Sequence, residues 1–102
     1  MLFRSVDWVL ARAAPQAGVA TVIFHSIFWQ YLGPRTQAAL TEAVEIHAAA
    51  ATPGAPLAWL RMEPAAGQIV PIELRLTLWP GGEARRLATG QAHGAWVNWD
   101  SA

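Results

Sequence analysis

Apolar positions along this chain fall into two unbroken runs and three periodic ones, and that difference predicts an α/β fold. Residues 19–24, from Val19 to Phe24, are uncharged and rich in β-branched side chains, and residues 57–62 form a second, mostly apolar run of strand length. Such runs are the composition of strands buried on both faces, as parallel strands under helices are. Between them Gln37, Leu40, Ala43, Val44 and His47 recur at helical spacing, with Glu42 and Glu45 off to the side. A helix is expected from Gly33-Pro34 to about Ala50, because proline is well tolerated in a first turn, where its missing amide has no partner to lose. Strand, helix, strand is the βαβ unit, with parallel strands and a right-handed crossover.

The flanking segments are periodic in other ways. Val6, Val9, Leu10 and Ala13 share one stripe of a short helix, with the Ser5 hydroxyl as its cap, Asp7 in its first turn, and Pro15 and Gly18 as its stop. Ile72, Leu74, Leu76 and Leu78 alternate with Glu73, Arg75 and Thr77, which predicts a strand with one buried face and one wet face. Trp79-Pro80-Gly81-Gly82 is a turn, and Glu83 to Gln91 leads back as an antiparallel partner. Glu73, Arg75, Arg85 and Arg86 are expected to keep this hairpin soluble and to blunt an edge. His93-Gly94 reads as a bulge or tight turn before a last extended segment ending at Trp99. The sum is one α/β domain over residues 1–102: a mixed sheet with a parallel βαβ unit followed by an antiparallel hairpin, helices covering at least one face.

Composition changes this picture in one respect. Of the 102 residues 54% are hydrophobic and only 14% charged, against about 25% charged in ordinary soluble domains. Six tryptophans are more large rings than a domain of this size can hide. An apolar surface is therefore expected, covered by a second copy in a homo-oligomer or by a missing N-terminal partner half. Seven basic residues balance seven acidic ones, and their scatter leaves no electrostatic footprint for nucleic acid or an anionic membrane. The uncharged interval 13–34 fails as a membrane span, since Pro15, Gln16, His25, Ser26 and Gln30 interrupt it. With no cysteine, disulfides and thiolate metal sites are excluded, and a reducing, cytoplasmic setting is expected. Arg4 and Asp7 so near the start argue against a signal peptide.

Candidate chemistry gathers at one place. His25, Ser26, Trp29, Gln30 and Tyr31 directly follow the first strand, and Glu63 closes the second. In a parallel pair those ends share one sheet edge, where open α/β sheets build their ligand crevice. These six are the candidate ligand-binding residues. No catalytic residue is assigned: neighbours His25 and Ser26 point opposite ways along a strand, and neither a nucleophile elbow nor a third triad member is present. His25 is expected to be satisfied by a backbone carbonyl, and Trp29 and Tyr31 to pack against the following helix in preference to stacking on a planar ligand. Glu63 is expected to be an exposed strand-end carboxylate. His25, His47 and His93 lack ligand spacing, so no metal is expected, and His47 reads as a buried, hydrogen-bonded member of the helix stripe. Arg85-Arg86 reads as a solvated strand face.

The segments from Phe24 to Tyr31, Pro56 to Pro64, Leu76 to Gly82 and His93 to Trp99 resemble the C-terminal region of a bacterial family, domain of unknown function 2332. The resemblance covers nearly the whole chain, and members of that family are typically longer. The order of elements is also similar to the second half of a class I, Rossmann-like methyltransferase: fourth strand, helix, fifth strand, closing hairpin. In such enzymes the first half holds S-adenosylmethionine on a glycine-rich loop and an acidic residue. That loop has no counterpart here, since Gly81-Gly82 sits in a hairpin turn. Two readings follow. One is an incomplete Rossmann-like module that associates through apolar, Trp-rich surface. The other is a fragment of an S-adenosylmethionine-dependent enzyme, whose edge of His25, Ser26, Gln30, Tyr31 and Glu63 contributes to a small-molecule site completed by another polypeptide. Enzymatic activity and cofactor stay open between them.

Overall fold

A computed structural model describes residues 4–65 and 71–100. In chain order the elements are α1 (Arg4–Arg12), β1 (Thr21–Ser26), a 3-10 turn (Trp29–Tyr31), α2 (Pro34–Ala48), β2 (Leu57–Pro64), β3 (Ile72–Trp79), β4 (Glu83–Gly90) and β5 (Val97–Trp99). The five strands lie side by side in sequence order. β1 pairs parallel with β2, from Thr21 opposite Leu57 to Ser26 opposite Met62, and every later pair is antiparallel. The βαβ unit and the hairpin therefore stand as expected.

Local chemistry explains the helices. Pro34 opens α2 behind Gly33. Gln37, the polar member of the α2 stripe, donates its amide to the carbonyls of Trp29 at 3.0 Å and Leu32 at 3.1 Å, which fixes the approach of the preceding turn. His47, at the other end of the stripe, donates Nε2–H to the carbonyls of Val9 and Leu10, both at 3.1 Å. Carbonyls in the last turn of a helix are short of intrahelical partners; Val9 also accepts the Ala13 amide at 2.9 Å, and the imidazole both caps α1 and ties it to α2. It is half-buried and hydrogen-bonded, in keeping with its place on the stripe.

Val9, Ala13, Leu40, Ala43, Val44 and Trp59 form the core, with Ile23, Phe28, Trp29 and Trp79 packed against it. Both helices thus cover the row Ile23–Trp59–Thr77, whose members are cross-strand partners and share a face. The alternate row, Phe24–Leu60–Leu76, faces the other way. The molecule is a slab 18 Å thick and 37 by 36 Å across, one helix layer on one sheet.

This one-sided cover overturns several expectations. β1 is not buried on both faces, because Val22 and Phe24 are each 56% exposed. On β3 the wet and dry faces are exchanged at the end near the turn: Thr77 is buried against the Trp59 row, while Leu78 is 50% exposed. The leucine face lies opposite the helices. Arg85 stands on that face beside Leu76, away from Arg86. Ser5 lies inside α1 and does not cap it. The bulge falls at Leu87, which the β3–β4 register skips, and His93-Gly94 forms a turn with Gly94 at φ 80° and its amide on the Gln91 carbonyl at 2.9 Å. Among the described residues no helix is long and apolar enough to cross a membrane.

Leu57 is fully buried whereas Ile46 on α2 is 54% exposed. Urea unfolding of Leu57→Ala is therefore expected to lose about 2–5 kcal/mol, the range for emptying a core leucine site. Ile46→Ala is expected to stay within about 0.5 kcal/mol of the parent. Equal losses would mean that the core is wrongly placed.

Candidate functional site

Parallel pairing decides which side chains meet at the end of the βαβ unit. His25 lies opposite Arg61, and Glu63 stands two residues further along the same face of β2. After Ser26 the chain turns sharply through Ile27, a β-branched residue at φ 47°. That left-handed conformation costs a non-glycine residue on the order of 1–3 kcal/mol and persists only where surrounding contacts enforce it. Here they do. The Ile27 amide continues the ladder to the Met62 carbonyl at 3.0 Å. The next two amides converge on one carboxylate: Phe28 N–H reaches the two Glu63 oxygens at 3.1 and 3.2 Å, and Trp29 N–H reaches Oε2 at 3.3 Å. Successive amides turned to one side of a reversed backbone make an anion-binding nest, and Glu63 fills it.

His25 completes the cluster. Its Nδ1 lies 2.6 Å from Glu63 Oε2, and its Nε2 accepts the Trp59 indole N–H at 3.0 Å. Because an indole nitrogen only donates, Nε2 must carry the lone pair, so the proton sits on Nδ1 and is donated to Glu63. Trp29 stacks on the imidazole at 5.5 Å and 15°, and meets Trp59 edge-on at 5.7 Å. The His25 and Glu63 side chains keep only 10% and 13% of their surface. Both imidazole nitrogens and both carboxylate oxygens are engaged, so the pair works as a buckle joining the end of β2 to the start of the 3-10 turn.

The six candidate residues have separate fates. His25, Trp29 and Glu63 come together, as the shared edge implies. The partner of His25 is a carboxylate and an indole, however, and no backbone carbonyl, while Glu63 is tucked in where an exposed carboxylate was expected. Trp29 packs inward, but Tyr31 is 76% exposed and does not pack on α2. Gln30 is exposed beside it. Ser26 faces away from His25 and, with Phe24, lines a cavity of about 510 Å³ that wraps the free edge of β1 beneath Trp8 and Val9 of α1. Trp59 and Arg61 belong to the cluster and escape a reading by motif. Their signal is the period-2 spacing to Glu63, which puts all three on one face.

Arg61 lays its guanidinium over the Trp59 ring at 4.6 Å. Burial and then the neighbouring Arg75 charge hold its pKa below the ordinary guanidinium value, and Glu63 offsets part of this. At the sheet margin Arg86 binds Asp100 through two hydrogen bonds of 2.8 and 3.1 Å, which raise the arginine and lower the carboxylate. Among the described residues no three histidine or acidic side chains gather as a metal site.

Compared with known proteins, residues 4–99 match the model of one family, DUF2332, described as an uncharacterized protein conserved in bacteria. No curated protein and no solved structure matches the chain.

Glu63→Ala leaves two turn amides and the His25 Nδ1–H without their acceptor and is expected to cost about 2–4 kcal/mol, a partly buried network losing its only anion. Trp59→Phe keeps one aromatic ring but loses the pyrrole N–H and its core volume, strands the His25 lone pair and is expected to cost about 2–4 kcal/mol. Long-range nitrogen–proton NMR of the parent should show His25 as the Nδ1–H tautomer. An Nε2–H tautomer would contradict the assignment.

Proposed function

The chain belongs to the DUF2332 family of uncharacterized proteins conserved in bacteria, and on that footing we propose that it is an association module, an incomplete α/β layer whose bare sheet face is buried against a second copy. One observation carries the reading. The sheet face turned away from the helices is apolar across β1, β2 and β3 apart from Ser26, and Val22, Phe24, Leu78, Val97 and Trp99 on that side are each at least half exposed.

Five strands about 4.8 Å apart, three of them eight residues long, one six and one three, give at about 3.3 Å per residue a face of roughly 500 Å², already covered at Ile72 and Ala88. Its accessible surface is larger than that flat outline, which brings it near the ~800 Å² per partner of stable interfaces. The face suits a copy of itself. Its charges are confined to β4, where Glu83 pairs with Leu78 and Arg85 with Leu76. A two-fold axis can set the acid of one copy near the base of the other, and two such sheets pack about 10 Å apart. Of the exposed tryptophans, Trp99 lies on this face and is 69% exposed.

The second reading, a methyltransferase-like fragment serving a small-molecule site, is supported by the order β1, α2, β2, hairpin, and by the cavity of about 510 Å³ that Ser26 and His25 border. Against it stands the engagement of both His25 nitrogens. In this reading another polypeptide supplies the strand beside β1 and the glycine-rich loop.

Light scattering on a sizing column should give a dimer at micromolar concentration. Phe24→Asp and Leu78→Asp, both on exposed positions, should give monomers with unchanged circular dichroism. Parent protein that stays monomeric to about 100 μM, a free energy of association weaker than ~5.5 kcal/mol, would sink the proposal. Titration with S-adenosylmethionine should leave tryptophan fluorescence unchanged. Saturable micromolar quenching would favour the second reading instead.

A further inference from the structure

On the helix side of the sheet two arginines face each other, and only one of them has a carboxylate within ion-pair distance. Arg61 and Arg75 are cross-strand partners in the antiparallel β2–β3 pair, so their side chains leave the same face about 5 Å apart, an arrangement that destabilises a sheet when the charges are alike. Arg75 is answered by Glu73, with Nε 2.8 Å from Oε1. Arg61 is not. All seven carboxylate side chains of the chain lie among the described residues, and those near this corner are taken. Glu63 serves His25 and the two turn amides, Glu73 serves Arg75 and Arg86, and Asp100 serves Arg86.

Stacking on Trp59 occupies only the flat face of the Arg61 guanidinium and leaves its edge of N–H donors open. Among the described residues no buried side-chain nitrogen lacks a partner, so those donors are reachable from outside. They border a pocket of about 240 Å³ shared with Trp29, Arg75, Glu63 and Glu73.

We propose that this pocket binds a small oxyanion, a carboxylate or phosphate group, held between the guanidinium edges of Arg61 and Arg75. A planar guanidinium presents two parallel N–H donors at the spacing of two oxygens on such a group. The incoming charge removes the repulsion between the two arginines and supplies Arg61 with the acceptors it lacks. Glu63 and Glu73 border the same space, but the first is held by its nest. The second keeps Arg86, at 3.6 Å, when Arg75 turns toward the ligand. Trp29 forms an apolar side wall, which favours a ligand with an apolar body attached to its acidic group.

Titration of the intact chain with inorganic phosphate, and separately with acetate, at constant ionic strength should be followed by NMR of the arginine Nε–H and tryptophan indole N–H signals. Saturable shifts of Arg61 and of Trp29 or Trp59, with a Kd of about 1 mM or tighter for at least one probe, are expected. Whichever probe binds identifies the group. Arg61→Met, which preserves the packing over Trp59, should weaken binding at least about tenfold, the loss of one bidentate charged contact. Arg75→Gln should weaken it less, and Arg85→Met on the opposite face should leave it unchanged. Should Arg61→Met fail to fold, the contrast between Arg75→Gln and Arg85→Met decides. Absence of saturation by either probe up to about 20 mM, or equal binding in all variants, overturns the proposal.

Discussion

Trp59 is committed twice, and the rest of the molecule depends on that. Its ring fills the apolar cluster between α1, α2 and the sheet, while its only donor is given to His25. The first commitment decides which side of the sheet the helices cover, since strand neighbours alternate and cross-strand partners share a face. The second sets the His25 proton on Nδ1, where it meets Glu63. That carboxylate in turn holds the amides of the turn from which α2 starts. Cover, buckle and helix entry are thus one linked arrangement, with an indole at its centre.

The bare leucine face is the other side of the same fact. A sheet with helices on one side only has half its apolar rows facing water, and hydrophobic burial of the kind that stabilises Leu57 is then unrealised for Phe24 or Leu78. β1 adds to this exposure because it is an edge strand in the sheet. Residues 21–24 carry no charge or proline to discourage pairing. In this chain the edge and the bare face meet at β1, so a partner that covers one reaches the other.

Much of this was legible in the sequence. The β-branched run at 19–24, the helical spacing from Gln37 to His47 and the second run at 57–62 specify a parallel unit. Parallel pairing alone brings His25 and Glu63 to one edge. What the chain does not spell out is which alternating row the helices choose. Period 2 separates Leu78 from Thr77, and hydrophobicity assigns the leucine to the core. A single tryptophan beside the threonine reverses that assignment. The meeting of Arg61 with Arg75 was hidden for a related reason, because cross-strand partners follow from register, and register depends on the turn joining two strands. The role of Glu63 is not legible in the sequence, because its partners include backbone amides oriented by an unfavourable φ at Ile27 that no propensity suggests.

On the proposed association, the Trp59 row is sealed beneath the helices while the Phe24 row is left for a second copy. Hydroxyl-radical footprinting across a protein dilution series reads both rows at once. Strong labelling of Phe24, Leu78 and Trp99 in dilute solution, fading as concentration rises while Trp8 stays reactive and Leu57 and Trp59 stay protected throughout, is the pattern the account predicts. Trp59 labelled as readily as Trp8, or Phe24 and Leu78 shielded at every dilution, would contradict it.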